Sequence, residues 1–189
     1  VQAGDEDDYF QSSLFTIARR RILWLLILVL ANGLTTKVIA MNDQILKEIV
    51  LLAAFIPLLI GTGGNVGAQS STVVIRGLST QKLKSLGAIK AVVKEAITGA
   101  LLGVFMMLVV FPFAWWQGEG PLIASAVGIS LISITTLAAT TGAILPLLFD
   151  RMKLDPALMS SPFITTVTDI AGVFIYLSTA KWLLNSSLV

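Results

Sequence analysis

Five long apolar runs constrain this chain more than any other feature, because each is close to the roughly 20 residues that cross a bilayer as an α-helix. They are approximately residues 22–39, 49–78, 91–115, 122–149 and 158–184. The connections between them are too short to contain a soluble domain. Only 13% of the 189 residues are charged, whereas an ordinary soluble domain has about 25%. The sequence therefore predicts an all-α membrane protein with five transmembrane helices, surrounded by membrane lipid.

The composition excludes several classes of function. Cysteine and histidine are absent, which removes thiolate and imidazole metal ligands and any catalytic triad that uses histidine. A bound metal would need oxygen ligands, which suit hard cations such as Mg²⁺, Ca²⁺ or Mn²⁺. The net charge of +2 is small, so we expect no nucleic-acid partner. The glycine-rich GTGGNVGAQ stretch lacks the lysine of a phosphate-binding loop, and we expect no enzymatic activity.

The basic residues are unevenly distributed between the two sides of the predicted spans. Cytoplasmic loops of membrane proteins carry an excess of Lys and Arg. With the amino terminus in the cytoplasm, the outer side receives only Lys37, Lys47 and Lys181. The inner side then receives Arg19, Arg20, Arg21, Arg76, Lys82, Lys84, Lys90, Arg151 and Lys153. The distribution predicts a multi-pass protein of the plasma (inner) membrane, with its amino terminus in the cytoplasm and its carboxyl terminus outside.

The second span contains a polar, glycine-rich stretch from Gly61 to Thr72. A proline and four glycines allow the helix to loosen here, and unwound backbone at membrane depth is tolerated only where it is buried or lines water. For Gly63 and Gly67, which are four residues apart, the alternative is close helix packing. A hydrophilic lining is favoured by the neighbouring polar residues Asn65, Gln69, Ser70 and Thr72. In the third span, Gly99 and Gly103 have only apolar neighbours and are interpreted as packing residues.

Asp169 is the only acidic residue deep inside a predicted span. It lies 11 residues after Leu158, or roughly 16 Å along a helix, where an ionised carboxylate costs about 2.5 to 3.5 kcal/mol. No Lys or Arg lies at that depth, so a cation or a water-filled cavity is the simplest partner. The alternative is a protonated Asp169 that hydrogen-bonds to a neighbouring helix. A functional site is favoured by a polar, small-residue stripe around Asp169, made of Ser161, Thr165, Thr168 and Gly172.

Two ordered blocks, GTGGNVGAQSSTVVIRGL and DPALMSSPFITTVTDIAGVFIYL, begin at Gly61 and Asp155. Together they resemble the membrane domain of the MgtE-type magnesium channels. The resemblance covers the chain from about Arg19 onward, and it implies a homodimer with five spans per protomer and one pore at the dimer interface, lined by spans two and five. It also implies a cytoplasmic regulatory domain in the full-length chain. Residues 1–20 would be the cytoplasmic connecting segment and residues 21–189 the transmembrane channel domain.

The resemblance further implies a set of residues along the ion path. Asp169 of each protomer would face the pore and hold hydrated Mg²⁺, helped by the backbone carbonyl of Thr165. The other positions that it implies are Gly61, Gly64, Asn65 and Thr72. Two positions depart from the family: Ala68 stands where several members have a polar residue, and Ser161 stands where an Asn can occur.

These features predict a magnesium-selective channel domain that conducts hydrated divalent cations down their electrochemical gradient. The main alternative is an ion-coupled transporter or exchanger of divalent cations, with Asp169 or Glu95 as its titrating group. An intramembrane aspartyl protease would need two carboxylates, and no second motif accompanies Asp169. A purely structural subunit would leave the cost of burying Asp169 unexplained.

Overall fold

A computed structural model describes residues 13–80, 83 and 87–186, and this part of the chain is helical apart from short connections. The α-helices in chain order are α1 Leu14–Ala40, α2 Asp43–Glu48, α3 Val50–Ser79, α4 Ala88–Ala114, α5 Pro121–Arg151 and α6 Pro156–Ser186. A π-helical turn, Trp115–Glu119, follows α4. The all-α prediction is therefore confirmed.

Four of the five predicted spans correspond to helices long and apolar enough to cross a membrane. They are α3, residues 88–117, α5 and the Pro162–Leu184 part of α6. Among the residues that were described with their side chains, the apolar part of α1 is the shorter segment Leu25–Ala40. The fifth crossing stays a prediction. The division proposed between residues 20 and 21 falls within the continuous helix α1, and residues 1–12 lie outside the described part.

Helix α5 lies at the centre of the protomer and packs against α3, α4 and α6. Its fully buried residues include several small side chains, which let the neighbouring helices approach closely, beside branched ones; examples are Ala124, Val127, Leu131, Ile134 and Ala138. Helix α4, by contrast, exposes Leu101, Phe105 and Leu108, as expected of a helix that faces lipid. Helix α5 is therefore the scaffold on which α3 and α6 are positioned.

Close glycine contacts hold α4 against α5. A methyl group on Gly99 would lie 2.6 Å from the carbonyl oxygen of Thr135, and one on Gly103 would lie 2.5 Å from the Cα atom of Ile132. Such distances leave no room for a side chain. The predicted packing role of Gly99 and Gly103 is confirmed.

The connection between α4 and α5 is a tight turn that requires glycine. Gly120 has a φ of 84°, a left-handed conformation that glycine adopts without steric penalty. Pro121 follows as the first residue of α5, where its missing N–H has no helical partner to lose. Trp115 and Trp116 are 57% and 85% exposed just before this turn, as expected of aromatic side chains at a membrane interface.

Candidate cation site

The polar stretch predicted in the second span forms part of an unbroken α-helix. Helix α3 continues from Val50 to Ser79 through Pro57 and through all four glycines. The Thr72 hydroxyl donates a hydrogen bond of 2.8 Å to the carbonyl oxygen of Ala68, four residues earlier, as in a regular helix. The helix is therefore not loosened at this point, because packing against α5 and α6 keeps the glycine-rich segment helical.

Two of the four glycines face the interior of the protomer. A methyl group on Gly63 would lie 2.5 Å from Cγ2 of Thr168, and one on Gly67 would lie 2.5 Å from Cγ2 of Ile164, both on α6. On the α5 side, Gly142 lies directly against the backbone carbonyl of Gly67. Close helix packing therefore accounts for Gly63 and Gly67. This was one of the two interpretations that the sequence allowed for these glycines.

The opposite face of α3 is a stripe of small and polar residues that points away from the rest of the protomer; we call it the outward stripe. A methyl group on Gly61 or Gly64 would have no neighbouring atom within 4 Å in the described part of the chain. The exposed residues of the outward stripe are Pro57, Gly61, Asn65, Ala68, Gln69 and Thr72. Ser70, predicted to share this lining, is only 4% exposed and is buried inside the protomer.

The predicted polar stripe of α6 is divided between two environments. Asp169 is half-buried and Thr165 is exposed. Thr168 is fully buried and donates a 2.7 Å hydrogen bond to the carbonyl oxygen of Ile164, while Gly172 is buried next to α5. The prediction of one continuous polar stripe is wrong. Residues spaced three and four apart cover a broad arc of the helix surface, and the edge of this arc that contains Thr168 and Gly172 packs against the neighbouring helices. The side chain of Ser161 lies outside the described part.

The carboxylate of Asp169 has neither a hydrogen-bond donor nor a cationic partner among residues 13–80, 83 and 87–186. The nearby Thr165 hydroxyl donates to the carbonyl oxygen of Pro162 at 3.0 Å. The same part of the chain contains no group of three acidic, histidine or cysteine side chains that could hold a metal ion. Within the described part, one copy of the chain therefore offers a single carboxylate at this position.

The contacts between α3 and α6 place Asp169 and the glycine-rich stretch at one depth. Because Gly63 packs on Thr168 and Gly67 packs on Ile164, the two helices run antiparallel, and Asp169 lies level with the Gly61–Gly64 turn. Thr72 lies five residues beyond Gly67, or roughly 7 Å further along α3. The structure therefore places Asp169 beside the glycine-rich stretch, whereas the ion-binding role of these residues stays a prediction.

Sequence reasoning missed two features near the site. One is the contact of Gly142 with the α3 backbone, for which the small pair Ala138 and Gly142, four residues apart, was an available signal. The other is a pair of buried hydroxyls, Ser130 Oγ and the Tyr176 OH, which have no hydrogen-bond partner in the described part of the chain. No sequence pattern marked these two residues.

Comparison with known proteins adds independent findings. The profile of the MgtE family, described as a divalent cation transporter, matches residues 56–179. This range contains all six positions predicted for the ion path. A magnesium transporter MgtE from Thermus thermophilus is 39% identical over 166 residues, which cover 88% of this chain and 37% of that relative.

Two further relatives, also described as magnesium transporter MgtE, match nearly the whole chain. The protein from Bacillus subtilis is 32% identical over 185 residues, which cover 97% of this chain and 41% of that relative. The protein from Enterococcus faecalis is 32% identical over 183 residues, covering 95% and 40% respectively. The chain thus spans about two fifths of the length of the curated relatives that it matches.

Proposed function

The chain belongs to the MgtE family of divalent cation transporters, and from this membership we propose that it forms the pore of a magnesium channel. In this proposal hydrated Mg²⁺ moves down its electrochemical gradient between two copies of the chain, along their α3 and α6 helices. The observation that carries the proposal is the outward stripe of α3, which lies level with Asp169, a carboxylate with no partner among the described residues.

The cost of exposing this face to lipid supports a dimer. Asn65 and Gln69 are exposed in the middle of α3, and polar side chains at this depth are stable only against protein or water. A second copy that presents the same face would enclose these groups in a polar, water-filled path. The dimer would also bring two Asp169 side chains to one pore.

The chemistry of Mg²⁺ suits such a path. The ion prefers six oxygen ligands at about 2.0 to 2.1 Å and loses its water slowly, so a site that holds the hydrated ion conducts faster than one that strips it. Two Asp169 carboxylates would supply negative charge. The carbonyl of Thr165, the amide of Asn65 and the hydroxyl of Thr72 would accept or bridge hydrogen bonds from the bound waters, and the bare Gly61 and Gly64 would leave room for them.

The membrane potential would drive the ion inward. We propose that the chain lies in the plasma membrane with its amino terminus in the cytoplasm, so that the ends of α3 and α5 with Arg76 and Arg151 face inward. A potential of 100 mV is worth about 2.3 kcal/mol per charge, hence about 4.6 kcal/mol for a divalent ion. The relatives extend well beyond the matched region, which supports a cytoplasmic regulatory domain as a further partner in the full-length protein.

The alternative is an exchanger that couples divalent-cation movement to a second ion. Asp169 could titrate in such a cycle, whereas Glu95 lies on α4, which packs mainly on α5 and away from the outward stripe. The two mechanisms differ in whether flux needs a counter-ion gradient.

The proposal is tested by Mg²⁺ uptake into liposomes that contain the purified chain, with the membrane potential set by a potassium gradient. We expect uptake that rises with inside-negative potential and continues when proton and sodium gradients are absent. Uptake that stops without one of those gradients would support the exchanger instead, and no uptake at any potential would contradict both mechanisms.

A dimer that meets along the outward stripe predicts specific cross-links, which are easily read because the chain contains no cysteine. We expect Gln69→Cys to form a disulfide-linked dimer in lipid under mild oxidation. The control is Leu108→Cys. Leu108 lies on the exposed face of α4, and its side chain is 68% exposed, so we expect this variant to stay monomeric. Equal cross-linking of both variants, or none at position 69 or its stripe neighbour 72, would contradict the proposed interface.

A further inference from the structure

An apolar cavity of about 310 Å³ lies between the first turns of α4 and the last turns of α5. Its walls are mainly aliphatic and include Ile89 and Val93 from α4 and Ile144 and Leu148 from α5. All four side chains are exposed on the protomer surface, so the cavity opens toward the membrane. A concave aliphatic surface in a bilayer accommodates a hydrocarbon chain with more contact than a convex helix face does.

A second cavity of about 480 Å³ adjoins the first and has different chemistry. The two share Ala88, Leu147 and Arg151, and the second adds the charged side chain of Asp150. Neither Arg151 nor Asp150 forms an ion pair or a side-chain hydrogen bond with any residue that the structure describes. One cation and one anion are therefore both available to a molecule in this cavity.

The start of α4 contributes hydrogen-bond donors to the same cavity. Gly87 and Ala88 line it, and no acidic residue lies in the first turn of α4. The N–H of Gly87 donates to the carbonyl oxygen of Leu83 at 3.0 Å, so the donors open to a ligand begin with Ala88. The first backbone N–H groups of a helix lack partners within the helix and attract anions. Together with the guanidinium of Arg151, which has no partner among the described residues, they make this part of the cavity suitable for a phosphate group.

We infer that the two cavities bind one phospholipid with an ethanolamine headgroup. One acyl chain occupies the apolar cavity, and the phosphate lies against Arg151 and the first N–H groups of α4. The ammonium of the headgroup donates to the carboxylate of Asp150. A choline headgroup has no N–H to donate, and a glycerol headgroup leaves a net negative charge beside Asp150, so both fit the pair less well.

This lipid site is separate from the proposed ion path. None of the residues that line either cavity belongs to the outward stripe of α3, and none of them lies on α6. Failure of the lipid inference would therefore leave the channel proposal untouched.

Native mass spectrometry tests the inference directly. The chain is released from bilayers containing equal amounts of phosphatidylethanolamine, phosphatidylcholine and phosphatidylglycerol with distinguishable masses. We expect one phosphatidylethanolamine per protomer, retained about tenfold more than phosphatidylcholine, since charge-assisted hydrogen bonds are the strong ones. Equal retention of the three lipids, or preferential retention of phosphatidylglycerol, would overturn the headgroup assignment.

Two exposed charges can be removed without disturbing the core. We expect Arg151→Gln to lower the retention of all three phospholipids about tenfold, because the phosphate they share loses its cation. We expect Asp150→Asn to remove only the preference for ethanolamine over choline. The control is Lys153→Gln, an exposed basic residue that lines neither cavity; if it lowers retention as much as Arg151→Gln, general charge and not this site retains the lipid.

A pair of variants on α4 tests the acyl-chain cavity. Val93→Trp fills the apolar cavity, whereas Val109→Trp adds the same bulk further along the same helix; the two valines are 51% and 56% exposed. We expect lipid retention to be lost only in the first variant. Unchanged retention in Val93→Trp, with folding of both variants verified by gel filtration, would overturn the assigned position.

Discussion

We expect Asp169→Asn to lower the divalent-cation affinity of the proposed pore by about a hundredfold and to reduce its selectivity over monovalent ions. The change keeps the size of the side chain and removes one charge per protomer, hence two from a symmetric pore. Even at a water-like dielectric constant, a carboxylate about 5 Å away attracts a divalent ion by about 1.7 kcal/mol, so two contribute about 3 kcal/mol. Flux assays over a range of Mg²⁺ concentrations, at equal folded yield, measure this effect.

The comparison with Asp169→Glu separates the two interpretations of this residue. Glu keeps the charge and moves it by one methylene, so a charge that binds the ion predicts a milder loss than for Asn. A protonated Asp169 that only packs against a neighbouring helix predicts the opposite order, because Asn replaces its hydrogen bonds while Glu overfills the space. Asn with the flux of the parent chain would defeat the assignment of Asp169 as the pore site.

Placing a leucine at Gly142 prevents the chain from reaching its native packing. Any side chain at this position meets the backbone carbonyl of Gly67, and a backbone atom cannot move aside as a flexible side chain can. Overpacking a core ordinarily costs about 1 to 3 kcal/mol, and a helix-to-helix backbone contact lies at or above the top of that range. We expect a large drop in folded yield and in thermal stability, measured by gel filtration after heating in detergent.

Gly33 provides a matched control for this experiment. It lies within α1 as Gly142 lies within α5, but a methyl group there has no neighbouring atom within 4 Å in the part of the chain that the structure describes. We expect Gly33→Leu to be neutral or slightly stabilising, since leucine favours a helix by up to about 1 kcal/mol over glycine. If Gly142→Ala and Gly142→Leu were both as stable as the Gly33 variant, the close approach of α3 and α5 would not exist.

The helices and several of their contacts could be predicted from the sequence because hydrophobic length and small-residue spacing are local signals. The predicted spans lie within a few residues of α3, α4, α5 and α6, and Gly99 and Gly103 were correctly interpreted as packing residues. Which face of a helix meets which neighbour is not a local signal. Gln69 and Ser70 are adjacent and both polar, yet only the position of α3 on α5 exposes the first and buries the second.

The same limit explains the other wrong predictions about the site. Proline and glycine signal a weakened helix, but the contacts of Gly63 and Gly67 with α6 more than offset that weakness and keep α3 continuous. Thr168 is as polar as Thr165 and is buried, because its methyl group packs on Gly63. The cavities at Arg151 could not be predicted at all, because they depend on how the ends of α3, α4 and α5 are placed around this residue. In the sequence, Arg151 indicates only the orientation of the chain in the membrane.

The antiparallel contact of α3 with α6 also bears on the order of events during synthesis. Asn65 and Asp169 are separated by 104 residues, so at about 5 to 20 residues per second the ribosome needs roughly 5 to 20 s between them. During that interval α3 is already made while the helix that covers Gly63 and Gly67 is not. The face of α3 that carries Gly63 and Gly67 therefore stays uncovered until α6 is synthesised, and another helix that packed on this face before then would block its contact with α6.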